Sequence, residues 1–449
     1  MTSLPLPTTR TAGALLIAAL AAGGTIWQVS LAQGTDAENY PVPPPPHGIE
    51  AVRQRVHDIA SLGKQIFNDT TLSASGTQAC ASCHSPSHDY GPPNDLAVQL
   101  GGPDMKHHGA RAVPSLKYLQ NNPGFQEHYV TTEDEGDNAT DQGPTGGFTW
   151  DGRSQNRRDQ ARLPLLDPDE MANPDTATVV AKVKAAPYAD TMRRLFGGRI
   201  FDNTDEAFKT IVQALDYYQQ TPAEFYPFDS KFDASAVGKV KLSAQEARGL
   251  ALFIDPNKGN CASCHKFSLQ GTLPIFNDYG LIALGAPRNP DIPANADPAY
   301  YDMGLCGPKR TDLKDHPEYC GLFRSPTLRN VARRKVFFHN GVYHDLHDVI
   351  RFYVLRDVQP EKIYPRKPDG SVDQYNDLPE KYRDNLNMDP PFGGKPGDKP
   401  ALDDAEIEDV IAFLNTLNDG YVHSKQGQKD MDAFQAGKQS QGQQRKKSD

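Results

Sequence analysis

The sequence predicts a mainly α chain folded as two small helical domains with long ordered loops. Three observations carry this. Apolar residues recur at three- and four-residue spacing in several separate segments. Convincing strand alternation is scarce. The 449 residues also hold 37 Pro and 37 Gly, which break the chain into short helices and many turns. The length suits two or three domains of about 150 residues each. With 37% hydrophobic and 23% charged residues, the composition suits a soluble globular protein. A net charge of −10 argues against a nucleic-acid partner, which would need a clustered basic surface.

Taken in order, the chain opens on Arg10 and the apolar run AGALLIAALAAGGTIW, followed by VSLAQG. Small residues Ser30 and Ala32 precede a plausible cut, so residues 1–32 are expected to be a cleaved export signal. The run is short for a membrane span, and an uncleaved anchor is the alternative. Export places the body in the periplasm, with no membrane anchoring expected after cleavage. Residues 33–49 form a Pro-rich leader without helical or strand period.

The first domain is expected over 50–235. It starts with a helix in HDIASLGKQIFN and closes on one in DEAFKTIVQALDYYQQ. The second is expected over 236–423. It starts with SAQEARGLALFI, where Ser243 and Glu246 make a capping box, and closes on DDAEIEDVIAFLNTLN. The join falls near 225–240. The polar stretch 424–449 is expected to be a disordered tail.

The two halves resemble each other. One runs GKQIF to CASCH (Cys80 to His84), the other GLALF to CASCH (Cys261 to His265). A C-x-x-C-H pentapeptide has a mechanical reason: two thiols add across the vinyl groups of one porphyrin, and the adjacent histidine faces the iron. A lone C-x-x-C could be half of a zinc site or a redox dithiol. Here the copies lie about 180 residues apart, and each carries its histidine. Two covalently bound c-type hemes are therefore expected, on Cys80, Cys83 and His84 and on Cys261, Cys264 and His265. Each half becomes a cytochrome c-like heme domain. The remaining Cys306 and Cys320 are an even pair in an oxidising compartment, and a disulfide is expected.

Three segments in order resemble the bacterial diheme cytochrome c peroxidase and MauG family: GKQIFNDTTLSASGTQACASCH, FTWDGRSQNRRDQARLPLLDPDEM and RSPTLRNVARRKVFFHNG. The resemblance covers most of residues 55–420. It implies an N-terminal heme with an open distal face for hydrogen peroxide, lined by Gln160, Pro164 and Glu170. A carboxylate there can take a proton from one peroxide oxygen and return it to the other. It also implies that Trp150 lies between the hemes as an electron relay; on composition alone a core aromatic is the plainer reading. Calcium is doubtful. The family's asparagine position is Ala112, and Arg334 and Val336 replace a threonine and a proline, which opposes a hard dication. His107 and His108 lie in the loop after the first motif, but not at the spacing of the family's resting ligand.

The stretch FFHNGVYHDLHDVIRFYVLRD crowds His339, His344 and His347 with Tyr343 and Tyr353. Read as a helix capped by Asp345, it puts Tyr353 on the apolar face and His347 at its edge, while His344 precedes the helix. The resemblance places the second heme's distal ligand 14 residues after His339, at Tyr353. The peroxidases generally have methionine there and MauG-like members tyrosine. A hard phenolate favours ferric or higher iron. The resemblance thus implies an enzyme of the MauG-like, Tyr-ligated branch. Its two oxidising equivalents from peroxide would be shared between the hemes and spent on a small redox protein or on a partner protein's aromatic residue. The alternative is a diheme electron carrier without peroxide chemistry.

Overall fold

The computed structural model describes residues 40–130, 141–268 and 273–448, so the expected export signal lies outside the described residues. The longer helices are α1 (Ile49–Phe67), α2 (Arg157–Leu166), α3 (Thr176–Ala185), α4 (Ala189–Phe196), α5 (Thr204–Tyr218), α6 (Ala244–Ile254), α7 (Leu346–Leu355), α8 (Asp404–Asn415) and α9 (Lys425–Ser448). The named strands among the described residues are two antiparallel pairs of two residues each. Leu100–Gly101 pairs with His107–His108, and Leu281–Ile282 with Phe323–Arg324.

Each half is organised by one close helix crossing. In the first, α1 crosses α5 at Gly63, where an added Cβ would lie 1.9 Å from the Ala214 carbonyl oxygen and 2.9 Å from Tyr218 Cβ. In the second, α6 crosses α8 at Gly249, where a Cβ would lie 1.8 Å from the Asp409 oxygen and 2.9 Å from Phe413 Cβ. Only glycine lets the backbones approach this far. One turn later the crossings bury Phe67 and Phe253. The capping box predicted for α6 is present: the Ser243 hydroxyl accepts from the Glu246 N–H, and the Glu246 carboxylate from the Ser243 N–H.

Two apolar cores follow from the two crossings. The first includes Leu62, Ile66, Val179, Ile211 and Leu215 and ends with Phe225. The second begins with Phe232 and includes Ile350, Val354, Val410 and Leu414. A third cluster of Leu281, Leu305, Leu322, Leu378 and Leu386 sits beneath the long loops of the second half, where Cys306 and Cys320 form a disulfide. The leader docks on the first half, with the Gly198 N–H donating to the Tyr40 carbonyl (2.6 Å).

The expected disordered tail is a correction. Residues Lys425–Ser448 form α9. Its Gln, Lys and Ala residues are straight-chained or small, lose little freedom in a helix, and need no buried face to favour one. Phe434 anchors it, with the Lys241 and Lys438 ammonium groups 6.0 and 4.6 Å from its ring centre.

Candidate active site: two cavities and the wall between them

Cys80–Cys83 form a single helical turn, and His84 follows directly. The His84 Nδ1 lies 3.1 Å from the Tyr90 carbonyl oxygen, which fixes Nδ1 as the donor and leaves Nε2 as a free lone pair. His265 repeats this in the second half, its Nδ1 3.2 Å from the Phe276 carbonyl. Burial holds both imidazoles down to about 4, so each is neutral at physiological pH. Burial also pushes the Cys80 and Cys261 thiols up to about 12 and Cys83 to about 11. Such surroundings suit an uncharged thioether better than a metal-bound thiolate.

Each motif opens onto a cavity. The first has an empty volume of about 1460 Å³, lined by Cys80, Cys83, His84, Trp150, Gln160, Pro164 and Glu170. The second, about 1580 Å³, is lined by Trp150, Cys261, Cys264, His265, His339 and Tyr353. Trp150 lines both cavities, and its Nε1–H donates to the Ala112 carbonyl at 2.8 Å.

Glu170 sits where the chain turns after α2. Pro164 lies inside that helix and brings no N–H for the Gln160 carbonyl, and the helix ends two residues later. The Glu170 carbonyl accepts from Gly102 N–H at 2.7 Å, and a Cβ on Gly101 would meet the Glu170 oxygen at 2.7 Å, so the first strand pair presses directly on this turn. Burial and the nearby Asp167 charge push the Glu170 carboxyl up to about 7, against Lys309 and Arg153. Lys309 Nζ is held at 3.1 Å from Asp167.

Between the cavities stand two cations without a carboxylate partner among the described residues. Arg324 bonds to the Thr149 carbonyl and Asn122 Oδ1 at 3.2 and 3.3 Å. Arg334 bonds to the Val336 and Val113 carbonyls at 3.3 and 3.1 Å. Both line a third, smaller cavity with Trp150, and burial lowers each to about 10. A buried guanidinium without an anion is costly, so the occupant should bring carboxylates. Heme carries two propionates. The thiols, the oriented histidines and the unpartnered arginines together fit a heme in each cavity.

Residues 57–241 match the family model of the di-haem cytochrome c peroxidases. Over 382 residues the chain is 33% identical to the methylamine utilization protein MauG of Paracoccus denitrificans (strain Pd 1222), covering 82% of this chain and 91% of that protein. The chain belongs to the MauG/diheme cytochrome c peroxidase family. It is an oxidoreductase, and the family's di-haem character implies two heme cofactors. The cytochrome c551 peroxidase of Nitrosomonas europaea is 27% identical over 312 residues, 69% of this chain and 75% of that one. Among solved structures, the diheme peroxidase BthA from Burkholderia thailandensis E264 superposes with a TM-score of 0.71 at 35% identity, covering 81% of this chain and 86% of that chain.

Against this MauG-family frame, the residues singled out in the sequence fall into three groups. Gln160, Pro164, Glu170 and Trp150 come together around the first cavity, and Tyr353 reaches the second. The loop and helix histidines lie elsewhere. His107 Nδ1 pairs with Asp169 at 3.2 Å, His344 Nδ1 lies 3.1 Å from the Lys335 carbonyl, and His347 faces Glu408 at 3.9 Å. Arg324 is the residue the sequence reading passed over. Its signal was present, because R-S-P-T-L-R in the second half parallels A-V-P-S-L-K in the first. Where calcium was judged doubtful, the Val336 carbonyl accepts from Arg334 Nε.

Proposed function

We propose that the chain is an exported diheme c-type oxidoreductase that reduces hydrogen peroxide at the His84 cavity and draws the electrons from a protein donor or from a partner protein's aromatic residue. Cys80 and Cys83 attach one heme and Cys261 and Cys264 the other. His84 and His265 would each hold one iron, and Tyr353 would be a further ligand of the second. When bound, the first heme supplies an iron at which the peroxide O–O bond is broken. The chain's own residues do the rest. The Gln160 amide holds peroxide by hydrogen bonds. The Glu170 carboxylate takes one peroxide proton and returns it to the oxygen that leaves as water. A carboxyl near 7 is placed to do both steps at neutral pH. Trp150, shared by both walls, passes electrons between the cavities.

The observation that supports this reading is the contrast between the walls: a buried carboxyl, Glu170, lines one cavity, and the Tyr353 phenol lines the other. The bonded Cys306–Cys320 pair supports an oxidising compartment, and with the leader it supports the periplasm. Stopped-flow mixing of the oxidised holoenzyme with peroxide is the test. A fast change in the heme spectrum, slowed about 10²- to 10⁴-fold in Glu170→Gln, is expected. No change in the unaltered enzyme would leave the electron-carrier reading instead.

A further inference from the structure

The two helix crossings carry the same three-ring cluster with one chemical difference. In the second half Phe253, Phe276 and Phe413 meet with centroids 6.2, 5.2 and 6.1 Å apart. In the first half the corresponding rings are Phe67, Tyr90 and Tyr218, at 5.9, 5.3 and 6.4 Å. Phenylalanine therefore meets the packing need at both positions. The two hydroxyls of the first half need another account.

Those hydroxyls converge on one carboxylate. Tyr218 Oη donates to Glu224 Oε2 at 2.7 Å, Tyr90 Oη donates to the same oxygen, and the two phenol oxygens are 2.8 Å apart. Tyr90 and Tyr218 are buried, with 3% and 1% exposure, while the Glu224 side chain is 32% exposed and pairs with Lys64 at 2.6 Å. The phenols are dry, and their common acceptor reaches water. Lys64 and the two hydroxyls hold the Glu224 carboxyl below its usual range despite partial burial, so it is ionised and can accept the proton of a phenol made strongly acidic by loss of an electron. The cluster also touches the first cavity. Phe67 lines that cavity, and the Tyr90 carbonyl is the one that orients His84. Other phenols meet carboxylates, such as Tyr188 with Asp69 (2.6 Å), but Tyr188 does not hold the proximal histidine.

We infer that Tyr90 is a redox relay residue, giving one electron to the oxidised heme of the His84 cavity as its hydroxyl proton passes to Glu224. The O–H bond breaks, the electron goes to the heme, the proton makes Glu224 a neutral acid, and a neutral tyrosyl radical remains. The oxidant is hydrogen peroxide, so the inference rests on the function proposed above. A one-electron donor at the Lys64–Glu224 surface would reverse the step, with Glu224 returning the proton. This gives the oxidising equivalent an exit separate from Trp150.

The test is freeze-quench electron paramagnetic resonance of the oxidised holoenzyme mixed with hydrogen peroxide, with the heme spectrum followed in parallel. A tyrosyl signal that narrows when the unaltered enzyme carries ring-deuterated tyrosine is expected. Tyr90→Phe, which keeps the ring, should lose it while the heme response to peroxide persists. Glu224→Gln should lose most of it. Tyr188→Phe should leave it intact. A normal heme response without a tyrosyl radical, or a radical undiminished in Tyr90→Phe, overturns the relay and leaves the peroxide reading standing. No heme response in the unaltered enzyme overturns both.

Discussion

In the first half, the cavity beside the Gly63 crossing has a far wall of Gln160, Pro164 and Glu170. In the second, the cavity beside the Gly249 crossing has a far wall of Tyr353, Phe392 and Val349. The near walls match closely: each has a C-x-x-C-H turn, a histidine whose Nδ1 meets a main-chain carbonyl, and an aromatic triplet under it. Repeated structure therefore goes with holding the cofactor, and divergent structure with what the cofactor can do. A wall with a titratable carboxyl admits a reaction that moves protons. In the second cavity the corresponding wall carries the Tyr353 phenol, stacked on Phe392 at 5.4 Å.

The largest effect that would break this contrast is loss of the carboxylate. Glu170→Gln should lower the rate constant for peroxide by about 10²- to 10⁴-fold with the second heme's spectrum unchanged. An unaltered rate would mean that the two walls do not divide the chemistry. Next, Tyr353→Met should raise the potential of the second heme alone, within the roughly 0.8 V range that axial ligands span. Redox titration with both hemes resolved reads this, and an unmoved potential removes Tyr353 as the ligand.

The pH profile sharpens the contrast further. On the proposed function Glu170 is a base in its ionised form, and its carboxyl lies near 7 against an ordinary 4.5. The peroxide rate should rise with pH through about 7 and then level, and the Gln variant should be flat. The sign for stability is opposite. Between 4.5 and 7 the folded enzyme keeps a proton that the unfolded chain has lost. That contribution is full below 4.5 and fades as pH rises through 7. The shared frame gives a smaller and symmetric effect. Gly63→Ala and Gly249→Ala should each cost about 1–3 kcal/mol or more by overpacking, measured by denaturant unfolding. A much larger loss in one half would show that the crossings are not equivalent. Smallest of all, dialysis against a chelator should leave the heme spectra unchanged, because the Arg334 guanidinium already occupies the carbonyls of Val113 and Val336. One tightly held calcium per chain in metal analysis would contradict this.

Much of this was legible in the sequence because the signals were local. C-x-x-C-H sets the attachment turn within five residues, the 3.6-residue period gives α1, α5, α6 and α8, and the Ser243–Glu246 box marks its own helix end. That Tyr353 faces inward from its helix was legible from helical phase. What escaped depends on long-range pairing. Nothing local in the sequence says that the fold sets Arg324 and Arg334 beside Trp150. The third apolar cluster combines leucines spread over about 100 residues, with no period to announce them. The α9 segment was misjudged because polarity speaks to exposure and not to backbone preference, and over 425–439 its side chains are mostly exposed.

Asp419 ties the two halves together. It accepts Lys117 Nζ at 2.7 Å, Tyr118 Oη at 2.5 Å and Asn330 Nδ2 at 2.8 Å, and it is 4% exposed. Lys117 and Asp419 stand 302 positions apart. A chain emerging from its N-terminus would hold the Tyr118 phenol without this acceptor until position 419 had been made, with Lys117 left to Asp89 at 3.2 Å. The seam between the halves can therefore close only after both have been made.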